Sequence, residues 1–358
     1  MRNISKAVMI MLVLCLSVSV FAGGTPDQGG SNMIGVAMPT KSLQRWNQDG
    51  AYLKEKLEAN GFTVDLQYAN NDVSTQVNQL ENMITKGCKV LVIASIDSTA
   101  LKGVLQQAAD NGVKVVAYDR LIMETPNCDY YATFDNYKVG QIQGEFIVDK
   151  MGLASGKGPF NMEVFGGSPD DNNAYLFNQG AMDALKPYIA KGQLVINSGQ
   201  TDMSVIAIKA WKPEGSQARM DNLLTAYYAD KKLDVVLSPN DSLAQGIVAS
   251  LKAAGYGSAD KPFPVLTGQD CDKINVKMMI NGEQSMSVFK DTRTLAERVV
   301  IMVSDIMNGK TPEVNDTTNY DNGVKVVPSY LCVPVFADKN NYKQILIDSG
   351  YYKESDLK

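Results

Sequence analysis

The 358-residue chain contains no histidine, and this absence removes several chemistries at once. Catalytic triads and cysteine–histidine pairs depend on histidine, and so do many zinc sites. The chain also lacks a basic tract and has a formal net charge of −5, so it lacks the positive surface on which nucleic-acid binding depends. No loop shows the Asp/Asn alternation of a calcium-binding loop. We therefore expect no metal, no cofactor and no nucleic-acid partner.

Cysteine is scarce, with five residues in the whole chain. One of them, Cys15, lies in the N-terminal apolar segment, and the others are Cys88, Cys128, Cys271 and Cys332. Four cysteines in a chain of this length do not form a disulfide framework, and their spacing assigns no pairing. Cys88 and Cys332 lie in apolar, strand-like contexts, where we expect buried thiols.

The N-terminus has the pattern of an export signal. Arg2 and Lys6 precede an apolar run over 7–21, which ends in a small residue at Ala22. This run is shorter than the roughly 20 residues of a membrane-spanning helix. The pattern predicts a signal peptide over 1–22, cleaved after Ala22, and a flexible leader over 23–30. We expect a periplasmic protein with no further membrane segment.

Strand-like and helix-like segments alternate from residue 33 onward. The continuous apolar run at 90–94 is typical of a parallel strand covered on both faces, and Asp72 is placed to cap a helix with an apolar stripe over 73–84. The chain is too long for a typical single core, so two domains are expected. The alternation predicts an α/β protein with two doubly wound, Rossmann-like domains and mainly parallel sheets.

Polar side chains recur where the predicted strands end. In open α/β sheets, ligands bind at the carboxyl ends of strands, and two such domains facing each other would turn these ends toward one cleft. Trp46 could cover the C–H face of a polyhydroxylated ring while neighbouring cations meet its hydroxyls. The candidate polar residues are Lys41, Arg45, Asp119, Arg120, Asn172 or Asn173, Asn240, Asp270 and Lys290.

Eight stretches make the chain similar to a known family. They are MPTKSLQRW (38–46), DLQYANND (65–72), QLENMITKGCKVLVIASID (79–97), VVAYDRLI (115–122), DYYATFDNYKVGQIQGEFI (129–147), FGGSPDDNNA (165–174), SPNDSLAQGI (238–247) and FKDTR (289–293). They resemble the periplasmic sugar-binding proteins of ABC importers, the type I cluster that includes ribose-, xylose- and galactose-binding proteins. The likeness is nearest to the multiple-monosaccharide-binding proteins.

The resemblance implies two domains joined by three crossing segments, each with a six-stranded sheet. The N-terminal domain would comprise 31–120 plus 294–326, and the C-terminal domain 121–290 plus 327–358. Sugar would bind between them and the domains would close over it. The polar candidates would contact the sugar hydroxyls, while Trp46 and Trp211, the chain's two tryptophans, would stack on the ring.

The resemblance also implies a monomeric binding protein and not an enzyme. Its partners would be a monosaccharide of the glucose, galactose, xylose or arabinose type, an ABC permease with its ATPase, and a chemoreceptor or sensor kinase as a further reader. Other members of the cluster bind furanoses. The two tryptophans and the pair Lys41 and Arg45 favour a pyranose.

Two alternatives belong to other classes. A secreted glycosidase would need paired carboxylates, for which Asp119, Asp170, Asp171 and Asp270 are candidates. The cations beside Asp119 and Asp270 would keep both ionised, which leaves no obvious proton donor. A transcription regulator of the same fold would need an N-terminal helix-turn-helix, and the chain has the export signal there instead.

Overall fold

The computed structural model describes residues 31–357. The predicted signal peptide at 1–22 and the leader at 23–30 lie outside the described residues. The strands are β1 Met33–Met38, β2 Thr63–Tyr68, β3 Val90–Ile93, β4 Lys114–Tyr118, β5 Tyr130–Phe134, β6 Phe160–Val164, β7 Leu194–Ile196, β8 Val235–Leu237, β9 Val265–Leu266, β10 Met286–Phe289, β11 Ser329–Cys332 and β12 Val335–Asp338.

Helices alternate with these strands, as the sequence pattern predicts. They are α1 Gln44–Ala59, α2 Val73–Thr85, α3 Lys102–Asp110, α4 Asn136–Met151, α5 Asn172–Ala190, α6 Met203–Ile206, α7 Pro213–Tyr227, α8 Asp241–Ala253, α9 Lys273–Ile280 and α10 Thr292–Met307. A π-helical segment, Lys343–Asp348, lies near the C-terminus. Within residues 31–357, no helix combines the length and apolar character that crossing a bilayer requires.

The first sheet has six strands in the order β11-β5-β4-β3-β1-β2, and its pairings are parallel. Helices cover both faces, because parallel strands need crossover connections. Leu53 and Leu57 of α1 pack with Val299 of α10 on one face, and Leu80 of α2 with Leu105 of α3 on the other. We call this sheet with α1, α2, α3 and α10 the first lobe.

The second sheet is less regular than the resemblance implies. Four parallel strands run in the order β7-β6-β8-β9, and β10 pairs antiparallel with β12. A single bridge between Gln269 and Val288 connects the two groups. Directly after this bridge, Asp270 and Cys271 have positive φ angles of 95° and 50°, so the backbone leaves the extended conformation there. We call these six strands with α4 to α9 and the C-terminal segment at 343–357 the second lobe.

Two strands do not follow the domain boundaries that the resemblance implies. Those boundaries place residues after 120 and after 326 in the C-terminal domain, and with them β5 and β11. In the structure, β5 pairs with β4, and β11 pairs with β5, so both belong to the first sheet. A strand's hydrophobic pattern indicates that it is buried, but it does not identify the sheet in which it finds its partners. The residues from Ser31 onward form one compact unit, so the two lobes are packed together.

The four cysteines of the described residues are free and buried. Cys88 and Cys332 are nearly inaccessible to solvent, as their apolar sequence contexts indicate. Burial raises the pKa of both thiols to about 11, so they remain protonated and unreactive at neutral pH.

Candidate functional site

The carboxyl ends of strands from both sheets meet at one cavity. Its empty space, part of it open to solvent, amounts to about 300 Å³. Its wall combines charged, amide and aromatic side chains from both lobes. The lining residues are Leu43, Arg45, Trp46, Asp119, Arg120, Asp171, Asn173, Phe177, Trp211, Asn240, Gln269, Asp270 and Lys290.

Two cations bridge two carboxylates across the lobes. Arg45, on the first turn of α1, places Nη2 at 3.0 Å from Asp119 Oδ2 and Nη1 at 3.4 Å from Asp270 Oδ1. Lys290, directly after β10, places Nζ at 3.2 Å from Asp270 Oδ1 and 3.7 Å from Asp119 Oδ2. Since Arg45 and Asp119 belong to the first lobe and Asp270 and Lys290 to the second, the cluster joins the lobes at the cavity.

The charges around Asp119 keep its carboxyl ionised. Burial by itself would raise the pKa of the Asp119 carboxyl, but the charges of Arg45, Lys290 and Arg120 outweigh it and hold that pKa below its usual range. An ionised carboxylate can only accept hydrogen bonds, whereas the arginines and the lysine can only donate them. The wall therefore presents both kinds of partner that a hydroxyl group needs.

Asp49 holds Arg45 in place from behind and was not identified from the sequence. Its Oδ2 lies 3.1 Å from Arg45 Nε and 3.0 Å from Nη2, and Tyr118 donates its hydroxyl to Oδ1. Burial raises the pKa of Asp49 to about 6, although the Arg45 charge opposes that shift. The spacing of four residues on α1 was the available signal, because such pairs are neighbours on a helix.

Arg120 and Asp171 form a second ion pair in the wall, with Arg120 Nε 2.9 Å from Asp171 Oδ2. Arg120 also donates from Nη1 to the Ser95 carbonyl at 3.0 Å. The other Asp171 oxygen caps α5 by accepting from the Asn173 N–H at 3.0 Å. The sequence suggested Asp171 only as a weak candidate for catalysis. Both of its oxygens are already engaged, so its role here is to hold Arg120 and the start of α5.

Two tryptophans and a phenylalanine form the aromatic part of the wall. The guanidinium groups of Arg45 and Arg120 lie 4.4 and 5.1 Å from the Trp46 ring centre. Trp211 meets Phe177 edge to face at 6.3 Å. Phe177 was missed because its position on α5 is also typical of a core residue. The Trp211 ring lies so close to Gly167 that a Cβ atom there would be 2.0 Å from Trp211 Cη2.

Two of the predicted site residues lie outside the cavity wall. Lys41 is exposed in the turn before α1, with its Nζ 4.9 Å from the Tyr68 ring centre. Asn172 is the half-buried first residue of α5, whereas the next residue, Asn173, lines the cavity. Neighbouring side chains of a helix point in directions about 100° apart, so Asn172 points away from the wall while Asn173 faces it.

Asn240 and Gln269 complete the polar wall. Asn240 caps α8, because its Oδ1 accepts the Leu243 N–H at 3.0 Å, and it also lines the cavity. Gln269 follows β9 and was not identified from the sequence. Its Oε1 is buried and has no hydrogen-bond partner among the described residues, and the same holds for the Nε1 atoms of Trp46 and Trp211. Buried polar atoms without partners are rare, so these three atoms could bind ligand hydroxyls.

Two Rossmann-like lobes that place their strand ends around one polar cavity are the architecture of the periplasmic binding proteins. Residues 34–311 match the family model described as a periplasmic binding protein domain. The chain belongs to this family.

Relatives with long alignments lie in the same class. The multiple sugar-binding periplasmic receptor ChvE of Rhizobium radiobacter is 57% identical over 325 residues, covering 91% of this chain and 92% of that protein. The D-xylose-binding periplasmic protein of Escherichia coli is 36% identical over 348 residues, covering 97% and 98%. A crystal structure of an ABC transporter solute-binding protein from Clostridium phytofermentans with bound β-D-glucose has a TM-score of 0.88 and 57% identity, covering 91% of this chain and 100% of that one.

Proposed function

We propose that this protein captures pyranose monosaccharides in the cavity between its lobes and delivers them to an ABC importer. The observation that carries the proposal is the wall itself, which combines carboxylates, cationic donors and two tryptophans. The sugar-binding relatives and the glucose-bound structure at 57% identity support the same conclusion.

Recognition follows from the chemistry of sugar hydroxyls. Each hydroxyl donates one hydrogen bond and accepts others. Asp119 and Asp270 accept from ligand hydroxyls, and Arg45, Arg120 and Lys290 donate to ligand oxygens. Hydrogen bonds to charged groups contribute about 1.5–3 kcal/mol each, and leaving one unmade in a closed site costs a comparable amount. Such a wall discriminates against a sugar that lacks one hydroxyl.

Capture proceeds by closure of the lobes. The strand pairing supports a division into 31–134 plus 292–332 and 136–289 plus 335–357, with crossings after β5, after β10 and after β11. A ligand that contacts both lobes at once stabilises the closed arrangement, because the open one offers only half of its contacts. The partner permease recognises the closed form, and its ATPase drives uptake. A chemoreceptor or sensor kinase is a second reader of the same form.

Glycoside hydrolysis fits the site poorly. The depressed pKa of Asp119 prevents it from serving as a proton donor at neutral pH. Burial raises the pKa of Asp171, but its oxygens already bind Arg120 and the N–H of Asn173. Neither carboxyl is arranged to protonate a leaving group.

The proposal is tested by titrating the mature protein, without 1–22, with D-glucose, D-galactose, D-xylose, L-arabinose and D-ribose. Calorimetry gives Kd, and tryptophan fluorescence reports the cavity because both tryptophans line it. We expect saturation near micromolar, about −8 kcal/mol, by several pyranoses and weaker binding of ribose. The variant Asp119→Ala should lose binding. Absence of any heat or fluorescence change with all five sugars would contradict the proposal.

A further inference from the structure

A second group of contacts joins the lobes outside the cavity. Gln44, the first residue of α1, donates from Nε2 to the Tyr352 hydroxyl at 2.6 Å. Its Oε1 accepts the Lys273 N–H at 3.1 Å. One amide side chain of the first lobe therefore holds both the C-terminal segment and the start of α9 in the second lobe. Both hydrogen bonds join residues that are more than 200 positions apart in the chain.

Tyr352 is fixed on the second lobe independently of Gln44. Its hydroxyl donates to the Cys271 carbonyl at 2.9 Å, and its ring packs edge to face on Tyr351 at 4.7 Å. Tyr351 packs in turn on Phe289 at 4.7 Å, directly before Lys290 of the cavity wall. The partner that Gln44 meets is thus held by the same lobe that supplies half of the site.

We propose that Gln44 and Tyr352 form a latch that stabilises the closed arrangement of the lobes and strengthens the binding of every ligand by the same factor. The proposal rests on the function given above. Within the described residues, neither member of the latch lines the cavity, whereas Arg45, next to Gln44, does. The latch therefore acts on affinity only through the population of the closed form.

The expected size follows from population-shift arithmetic. A ligand that binds only the closed form has an apparent Kd equal to its intrinsic Kd divided by the closed fraction. Each net hydrogen bond lost lowers the closed-to-open ratio by about 2- to 12-fold. Where the closed form is the minority in the free protein, the Kd of each sugar rises by that factor and the ratios between sugars stay unchanged. A residue that contacts the sugar would change those ratios.

The variants Gln44→Ala and Tyr352→Phe test the latch, and the second keeps the ring packing. Gln106→Ala and Tyr137→Phe are matched controls, because their side chains bond within a single lobe, to Asp110 and Asp183. Calorimetry with D-glucose, D-xylose and L-arabinose should show that, within each latch variant, Kd rises by the same factor for all three sugars. The controls should show no change in Kd. Gln44→Ala also loses the contact with the Lys273 N–H, so the double variant should bind like Gln44→Ala, which already removes the contact that Tyr352→Phe removes.

Small-angle X-ray scattering of the same proteins tests the latch independently of the proposed function. Where the closed form is a substantial fraction of the free parent, the latch variants without sugar should have a larger radius of gyration than the parent, and saturating sugar should remove the difference. If the parent binds none of the sugars, the proposed function fails. The latch is then tested only by comparing the radius of gyration of the sugar-free variants with that of the sugar-free parent. An unchanged Kd and radius of gyration in both variants, or a rise in Kd for one sugar only, would overturn it.

Discussion

The Asn173 side chain donates a hydrogen bond from Nδ2 to the backbone carbonyl of Asp119, at 2.8 Å. The same carbonyl accepts the Tyr131 hydroxyl at 2.6 Å and Thr133 Oγ1 at 2.9 Å. Asp119 has a φ of 61°, a conformation that costs energy for a residue other than glycine and persists only where its surroundings hold it. Three donors, one of them from the second lobe, thus fix the residue whose carboxylate faces the cavity.

Replacing Asn173 should therefore weaken sugar binding. Asn173→Ala removes the donor from the second lobe and leaves the Asn136 amide, which donates to Asn173 Oδ1 at 3.0 Å, without that acceptor. We expect a rise in Kd of about 10- to 100-fold, equivalent to roughly 1.5–3 kcal/mol, by calorimetry with D-glucose. Asn172→Ala is the matched control and should change Kd by less than about 2-fold. Equal effects of the two variants would show that the carbonyl contact is irrelevant to binding.

The sequence analysis groups Arg45 and Lys41 as ligand-binding residues, but substituting them should affect sugar binding differently. Arg45→Met leaves the buried carboxylates of Asp49 and Asp119 without their guanidinium partner, and removing one member of a buried ion pair costs about 3–5 kcal/mol. We expect sugar binding to fall below detection by calorimetry, with circular dichroism and thermal unfolding checking that the variant folds. Lys41→Met should bind like the parent, because Lys41 is exposed. A strong loss of sugar binding in Lys41→Met would show that this lysine does contribute to the binding site.

The sequence reveals which strand ends supply the site, but not which neighbouring residue faces inward. Asp119 and Lys290 directly follow β4 and β10, so the strand pattern indicates that both lie at strand ends, and both line the cavity. Lys41 and Asn172 miss the wall because orientation within a turn, or around a helix, depends on the lobe opposite. Residues whose sequence signals also fit a structural role, such as Phe177 in a helix stripe, are identified only when the two lobes are brought together.

Long-range pairing is the other part that the sequence could not supply. The sequence pattern predicts β5 and β11 as strands, but it does not identify the sheet that they join. That sheet is set by the pairing of β5 with β4 and of β11 with β5, and β11 is far from both in the chain. Gln44 and Tyr352 are 308 positions apart, and neither has a local pattern that indicates the other. A polar side chain at a helix start is more simply interpreted as solvated.

Asp272 should make the fold less stable as pH rises. Burial, with the nearby Asp270 charge, raises its pKa to about 7, although Arg45 opposes the shift. Its backbone N–H donates to Asp241 Oδ2 at 2.9 Å, while its own Oδ1 has no hydrogen-bond partner among residues 31–357. Because the folded-state pKa exceeds the unfolded value, the folded chain binds the extra proton between about pH 4 and pH 7. The stability that this proton supplies is complete below about pH 4 and is lost as pH rises through 7.

The variant Asp272→Asn removes this ionisation. We expect it to be more stable than the parent at pH 8 by about 1–3 kcal/mol, with the difference shrinking toward pH 4. Urea unfolding followed by circular dichroism at both pH values measures the effect. Asp230→Asn, at an exposed site, is the control and should differ from the parent equally at both values. A stability difference for Asp272→Asn that does not depend on pH would contradict this assignment.

A single methyl group at Gly167 should displace Trp211. The new Cβ would lie 2.0 Å from Trp211 Cη2, so the ring must move and its part of the cavity wall is lost. We expect Gly167→Ala to raise Kd for D-glucose at least about 10-fold by calorimetry and to shift tryptophan emission to longer wavelength. In the control Gly103→Ala, at an exposed position of α3 with no atom within 4 Å of the new Cβ, the same methyl should leave Kd unchanged and stabilise the fold by about 0.5–1 kcal/mol. The double variant Gly167→Ala/Trp211→Ala removes the clash but not the loss of the ring, so it should not recover affinity relative to Gly167→Ala. Recovery of affinity would mean that Trp211 does not contact the sugar.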